Sequence, residues 1–222
     1  MADFGSFKIF RELRITGAPE RLHEVGEAMQ AHLPGHWQRA REREEDNAAM
    51  FSHEAGPLFV FERAATEDLP AAGLAMLGSE EGLSVINIVP LELHQLSIGQ
   101  YNAILGEFFE AAVKPAVAAL QLTAHLTDDT ASITKWLSEP AAGALRRFSN
   151  LANHSTGSAH PRDRERWFAF LVLAHRDRST LDTDMLKRWL VEEGGWSPDM
   201  AGDLAIEYEF ARDLLRFADG TR

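Results

Sequence analysis

The residues best suited to chemistry lie in one polar run, Arg146 to Trp167. It brings together Arg146, Arg147, Asn150, His154, His160, Arg162, Arg164 and Arg166, with further amide and hydroxyl side chains between them. Guanidinium groups bind phosphate or carboxylate at two points, and loops between helices supply a large share of binding sites. The run is therefore read as an anion-binding or partner-binding surface. The plainer alternative is a capped connection between two helices. Asn153 or His154 would end the first helix and Ser158 or His160 would precede the second. Arg162 to Arg166 would then be a solvated turn of mixed charge. Both readings stay open at this point.

The string Leu145-Arg146-Arg147-Phe148-Ser149-Asn150-Leu151-Ala152-Asn153-His154 places Arg147 and His154 on one expected helix with six residues between them. This resembles the Arg-x(4–6)-His signature of HEPN-type ribonucleases. The resemblance implies an all-helical, commonly dimeric bundle that cleaves RNA without a metal. His154 would be the general base on a ribose 2′-OH, and Arg147 would stabilise the charge developing on the phosphorus oxygens.

Other constellations are weaker. The chain has no Cys, so disulfide frameworks, thiolate zinc sites and cysteine nucleophiles are excluded. It holds no Gly-x-x-x-x-Gly-Lys loop, no Gly-x-Gly-x-x-Gly after a strand, no Gly-x-Ser-x-Gly elbow and no His-Glu-x-x-His. Pro34-Gly35 separates His32 from His36, which denies them the shared face a metal pair needs. Neither metal nor cofactor is expected. Asp128-Asp129 reads as a cap before Thr130, and the run Glu42 to Asp46 as a solvated sheet edge. Asn87 interrupts an apolar strand, where a buried amide must find hydrogen bonds. Trp167, Trp189 and Trp196 read as core anchors.

The charge is unevenly placed. The 222 residues carry a net charge of −12. Residues 1–129 hold nine basic and twenty acidic side chains, a net of −11, and residues 130–222 hold thirteen and fourteen, a net of −1. The first part repels phosphate at long range, so nucleic acid is not expected there. The second part is open to it.

The elements that position the polar run follow from periodicity. An α+β fold is expected, with an acidic two-layer domain over residues 1–129 followed by a small helical bundle over 130–222. In the first domain Phe7 to Ile15 alternates as a strand, and Pro19 opens a helix carrying Leu22, Val25, Met29 and Leu33. Trp37 to Asp46 is expected as an exposed strand, and Leu58–Phe61 and Leu83–Val89 as buried ones. A helix should run from about Gly99 to Leu120, kinked or divided at Pro115, before a closing strand at Leu122–Leu126. The sheet is expected to be mostly antiparallel with two helices on one face. In the second domain helices are expected over about 131–153, 161–176, 182–193 and 198–218. Their buried faces would be Leu145/Phe148/Leu151, Phe168/Leu171/Val172, Met185/Trp189/Leu190 and Leu204/Tyr208/Ala211/Leu215.

No apolar run approaches the ~20 residues of a membrane span, and a signal-peptide core is not seen at the N-terminus. The expectation is a soluble cytoplasmic protein of bacterial type without membrane contact. Its expected role is a non-enzymatic accessory protein. The acidic domain would engage a protein partner and the Arg/His-rich turn would be a second contact; a homodimer is left open. The alternatives are the ribonuclease using Arg147 and His154, and a small-molecule sensor.

Overall fold

The computed structural model describes residues 5–48, 56–92 and 95–220. The fold is α+β. Strand β1 (Phe7–Lys8) is followed by β2 (Leu13–Thr16), α1 (Pro19–Gln30), β3 (Trp37–Arg39), α2 (Arg41–Ala48), β4 (Leu58–Arg63), β5 (Ala72–Ser79) and β6 (Gly82–Pro90). Then come α3 (Ile98–Phe108), a π-helical turn (Phe109–Val113), α4 (Lys114–Ala119) and β7 (Thr123–Leu126). The chain continues through β8 (Thr130–Ala131), a 3-10 turn (Ile133–Lys135), α5 (Glu139–Leu151), α6 (Pro161–Arg176), α7 (Thr183–Glu192) and α8 (Pro198–Gly220). Two compact units result: Ile9–Asp129, and Thr130 onward together with the described residues up to Lys8. Among the described residues no helix is long and apolar enough to cross a membrane.

In the sheet unit the strands lie in the order β3-β4-β5-β6-β2-β7, with antiparallel pairing throughout. Leu13 and Ile15 of β2, Phe59 and Phe61 of β4, and Leu74 and Met76 of β5 share a core with Leu22, Val25 and Met29 of α1. Ile104, Leu105 and Phe108 of α3 join the same core. Phe108 packs against Phe61 and Trp37 with ring centres 4.8 and 5.1 Å apart. Each such fully buried apolar side chain contributes about 1.5–3 kcal/mol. Helix α3 begins with a reciprocal capping box between Ser97 and Gln100.

Several expectations need correction. Trp37 to Asp46 is not one strand: after Arg39 the chain turns helical. The charged run has no apolar face for a sheet, while Arg and Glu are good helix formers. Ion pairs from Arg39 of β3 to Glu44 (2.8 Å) and from Arg43 to Glu62 of β4 (2.7 Å) hold α2 against these two strands. β5, a central strand, went unforeseen because its Ala and Gly residues have little β-propensity. The helix is divided just ahead of Pro115, between Phe108 and Lys114. There the turn preceding the proline widens, with the Lys114 N–H bonded to the Phe109 carbonyl. A proline lacks its own donor and crowds the preceding turn, and a π turn accommodates both effects. Asn87 is exposed rather than buried, since an irregularity at Ala75/Met76 shifts the register of β6.

The helical unit takes its first strand from the other end of the sequence. β1 pairs with β8, so the expected strand from Phe7 to Ile15 is divided between the two units. Phe7 is buried against Trp136, and the Lys8 N–H reaches Glu192 Oε2 at 3.2 Å. Ser138 caps α5, breaking the helix expected from Ala131 onward, because its side chain accepts from the Ala141 N–H. Helix α5 packs on α6, α7 on α8, and α6 on α8. Trp167, Trp189 and Trp196 are buried among them. Leu151 and Phe168, expected inside, are more than half exposed. Trp167 and Phe170 face the core in place of Phe168, a rotation of one position along α6.

Candidate functional site

Helix α5 ends at Leu151, three residues before His154. The helix stops because polar groups capture the backbone beyond it. Asn153 Oδ1 accepts from the Ser155 N–H at 3.0 Å, and buried Asp163 on α6 accepts from the Asn153 N–H at 3.3 Å. Asp163 also holds the Arg166 guanidinium. The turn is thus tied to the first turn of α6 by one carboxylate.

His154 therefore does not share a helix with Arg147. Its ring stacks on Trp196 with centres 4.1 Å apart, and its Nε2–H donates to the Ser149 carbonyl at 2.9 Å. That carbonyl can only accept, so Nε2 carries the proton. Ser149 is buried, and its hydroxyl accepts from Trp196 Nε1 at 2.8 Å. A side chain at Gly194 would come within 2.6 Å of the same hydroxyl, so this knot of Ser149, Trp196 and His154 requires glycine there. One nitrogen and one ring face of His154 are thereby occupied in holding the turn.

The remaining residues of the polar run separate into different places. Asn153, His160, Arg162 and Arg166 line an open groove of about 750 Å³ beside the turn. Arg147 faces a second groove, between α5 and α6, with Glu165 and Arg166. Arg164 Nη2 donates to the Ala159 carbonyl at 3.3 Å. Arg147 and Asn150 are exposed, and Arg146 is half-buried. Of the expected residues, His160, Arg162 and Arg166 share the first groove, and Arg147 and Arg166 the second. Among the described residues no group of three His, Asp or Glu side chains could hold a metal ion.

Sequence reasoning passed over two further arrangements. In the sheet unit, Arg63 is 2% exposed and its Nε donates to Glu107 Oε2 at 3.1 Å. Its Nη1 reaches the carbonyls of Ala64, Leu69 and Pro70 at 3.0–3.1 Å, and its Nη2 the Thr66 hydroxyl at 2.7 Å. Glu107 Oε1 receives His36 Nε2 and, at 3.2 Å, Trp37 Nε1. Burial by itself pushes the Glu107 carboxyl upward. The donors on His36, Trp37 and Arg63, with the Arg63 charge, outweigh it and leave the group below the ordinary carboxylate range. His36, set aside as a metal ligand, is instead a partner of a carboxylate distant in sequence.

The second arrangement is the outer face of α8. Ile206, Phe210, Leu214 and Phe217 are between 54% and 71% exposed. Their spacing of four, four and three residues stacks them along one side of the helix. The opposite side is buried through Ala201, Leu204, Ala205 and Tyr208. The sequence shows α8 as apolar on two sides; a reading that seeks one buried face per helix assigns only the first.

Residues 141–215, which span α5 to the greater part of α8, match a family model described as a domain of unknown function (DUF1889). No curated protein and no solved structure matches the chain.

Proposed function

We propose that this chain is a non-enzymatic cytoplasmic interaction protein whose outer α8 face docks a basic amphipathic helix of another protein. The observation that carries the reading is the exposed stripe of Ile206, Phe210, Leu214 and Phe217. Aligned large apolar side chains at a surface mark association sites, whereas single ones are ordinary. Helix-to-helix docking uses this spacing of anchors. The charge of the partner follows from the rim. Asp203, Glu209 and Asp213 are exposed beside the stripe, on a chain of net charge −12. Arg212 approaches Glu209 and Asp213 only to 3.7 and 3.6 Å. Such a rim favours a basic partner and slows encounter with an acidic one. The acidic sheet unit adds long-range attraction for the same partner, and the turn bearing His160, Arg162 and Arg166 is a secondary contact.

Two synthetic amphipathic peptides with the same apolar face, one lysine-flanked and one glutamate-flanked, test this by fluorescence anisotropy against the full chain. The lysine peptide should bind, with affinity falling as salt rises, and the double variant Phe210→Ser/Phe217→Ser should lose it without losing its thermal transition. Equal binding of both peptides overturns the proposal. So does a dimer in light scattering that the same double variant dissociates, which would assign the face to a second copy of the chain.

A further inference from the structure

A separate groove of about 810 Å³ lies between the end of α6 and the C-terminal half of α8. Arg176, Arg178, Arg212 and Arg216 line it. The one carboxylate in the lining, Asp219, is bonded to His175 Nε2 at 2.8 Å. The guanidinium groups of Arg176, Arg178 and Arg216 make no hydrogen bond or ion pair among the described residues. Arg212 lies at distances from its nearest carboxylates too long for hydrogen bonds, and its Nε is buried without a hydrogen-bond partner. On a chain of net charge −12, four arginines share a groove whose lining holds a single carboxylate.

The backbone at Arg178 points the same way. α6 ends by folding back, with the Ser179 N–H bonded to the Ala174 carbonyl at 2.9 Å and Arg178 at φ +54°. This left-handed position after a helix normally falls to glycine, because a Cβ is strained there. A strained residue that keeps a long charged side chain directs attention to what that side chain does.

We infer that this groove binds a small phosphorylated organic molecule, with Arg176, Arg178, Arg212 and Arg216 on its phosphate groups. Guanidinium forks match phosphate oxygens two at a time. Leu171, Val172 and Leu215 form an apolar wall for the organic part, and the volume falls within the range of small-ligand sites. The four guanidinium groups share one groove of about 810 Å³, a span suited to a single small polyanion, whereas a strand of RNA needs basic side chains continuing beyond it. The lining includes none of Ile206, Phe210, Leu214 or Phe217, so the site is independent of the docking face.

Calorimetric titration of the full chain with pyrophosphate, with ATP in the absence of divalent metal, and with short single-stranded RNA tests the inference. ATP should bind saturably and more tightly than pyrophosphate, and added salt should weaken both. Arg178→Gly and Arg216→Gln should each weaken ATP about tenfold, the loss of one charge-assisted contact. Arg14→Gln in the sheet unit should leave binding unchanged. Arg178→Gly removes the side chain at a position glycine prefers, so lost binding cannot be lost folding. Absence of binding by both phosphate probes overturns the inference, as does undiminished ATP binding in both groove variants. RNA that displaces ATP and binds more tightly would make the groove a nucleic-acid surface and overturn it equally.

Discussion

Arg63 in the sheet unit donates to a carboxylate, a hydroxyl and three carbonyls, while Arg176, Arg178 and Arg216 in the helical unit face a groove with their charges uncompensated. The side chain is the same and its circumstances are opposite. Removing a guanidinium from water is costly, so a buried one survives only with its donors satisfied. An exposed one carries no such requirement, and water solvates it until an anion arrives. Buried arginines therefore report on architecture, and clustered uncompensated ones on ligands.

Substitutions can break or sharpen this contrast. The largest effect is expected for Arg63→Met. It should destabilise the sheet unit by about 3–5 kcal/mol, the scale for stripping one partner from a buried ionic network. Urea unfolding followed by tryptophan fluorescence measures it. A loss near zero would place Arg63 with the groove arginines and collapse the distinction. In the helical unit Asp163→Ala should cost about 1–3 kcal/mol, because the Asn153 N–H and the Arg166 guanidinium lose their shared acceptor. Hydrogen exchange at Asn153 should rise with it.

A pH series tests the same network from the carboxylate side. The Glu107 carboxyl in the folded chain lies below its ordinary value. Its contribution to stability is therefore complete above the unfolded value of about 4.3 and is lost as pH falls through the lower folded value. Thermal melts of Glu107→Gln should show a shallower acid-side decline than the unsubstituted chain. An unchanged slope would remove Glu107 from the network. The smallest effect should have the opposite sign. Arg178→Gly should stabilise the helical unit by about 0.5–1 kcal/mol, the strain relieved less the added freedom of glycine in the unfolded chain. Stabilisation together with weakened ATP binding would show a side chain kept for its ligand.

Much of the fold was legible because its signals are local. Pro161 and Pro198 open α6 and α8 where expected, and the apolar β-branched runs became β4 and β6. Legibility failed where a local pattern had two meanings. Arg41 to Asp46 alternates in charge as an exposed strand could, yet forms a helix once β4 offers Glu62 to Arg43. Trp167 and Phe168 are adjacent and both aromatic, and only packing chose which one faced inward. The polar run from Arg146 to Arg166 was visible as composition, but composition does not show direction. α5 and the turn send its members to separate grooves, and Trp196 and the Ser149 carbonyl occupy His154.

By itself, the sequence determined the α+β class, the positions of most helix starts, the absence of cysteine chemistry and the concentration of negative charge before residue 130. Each depends on residue type, or on neighbours within a few positions. The tertiary structure decided which charges are satisfied. Arg63 meets Glu107, and Arg178 meets Arg212 and Arg216 around one groove, through separations that no local period encodes. Whether a charge is compensated depends on which groups lie within a few ångströms of it, and folding alone brings those groups together.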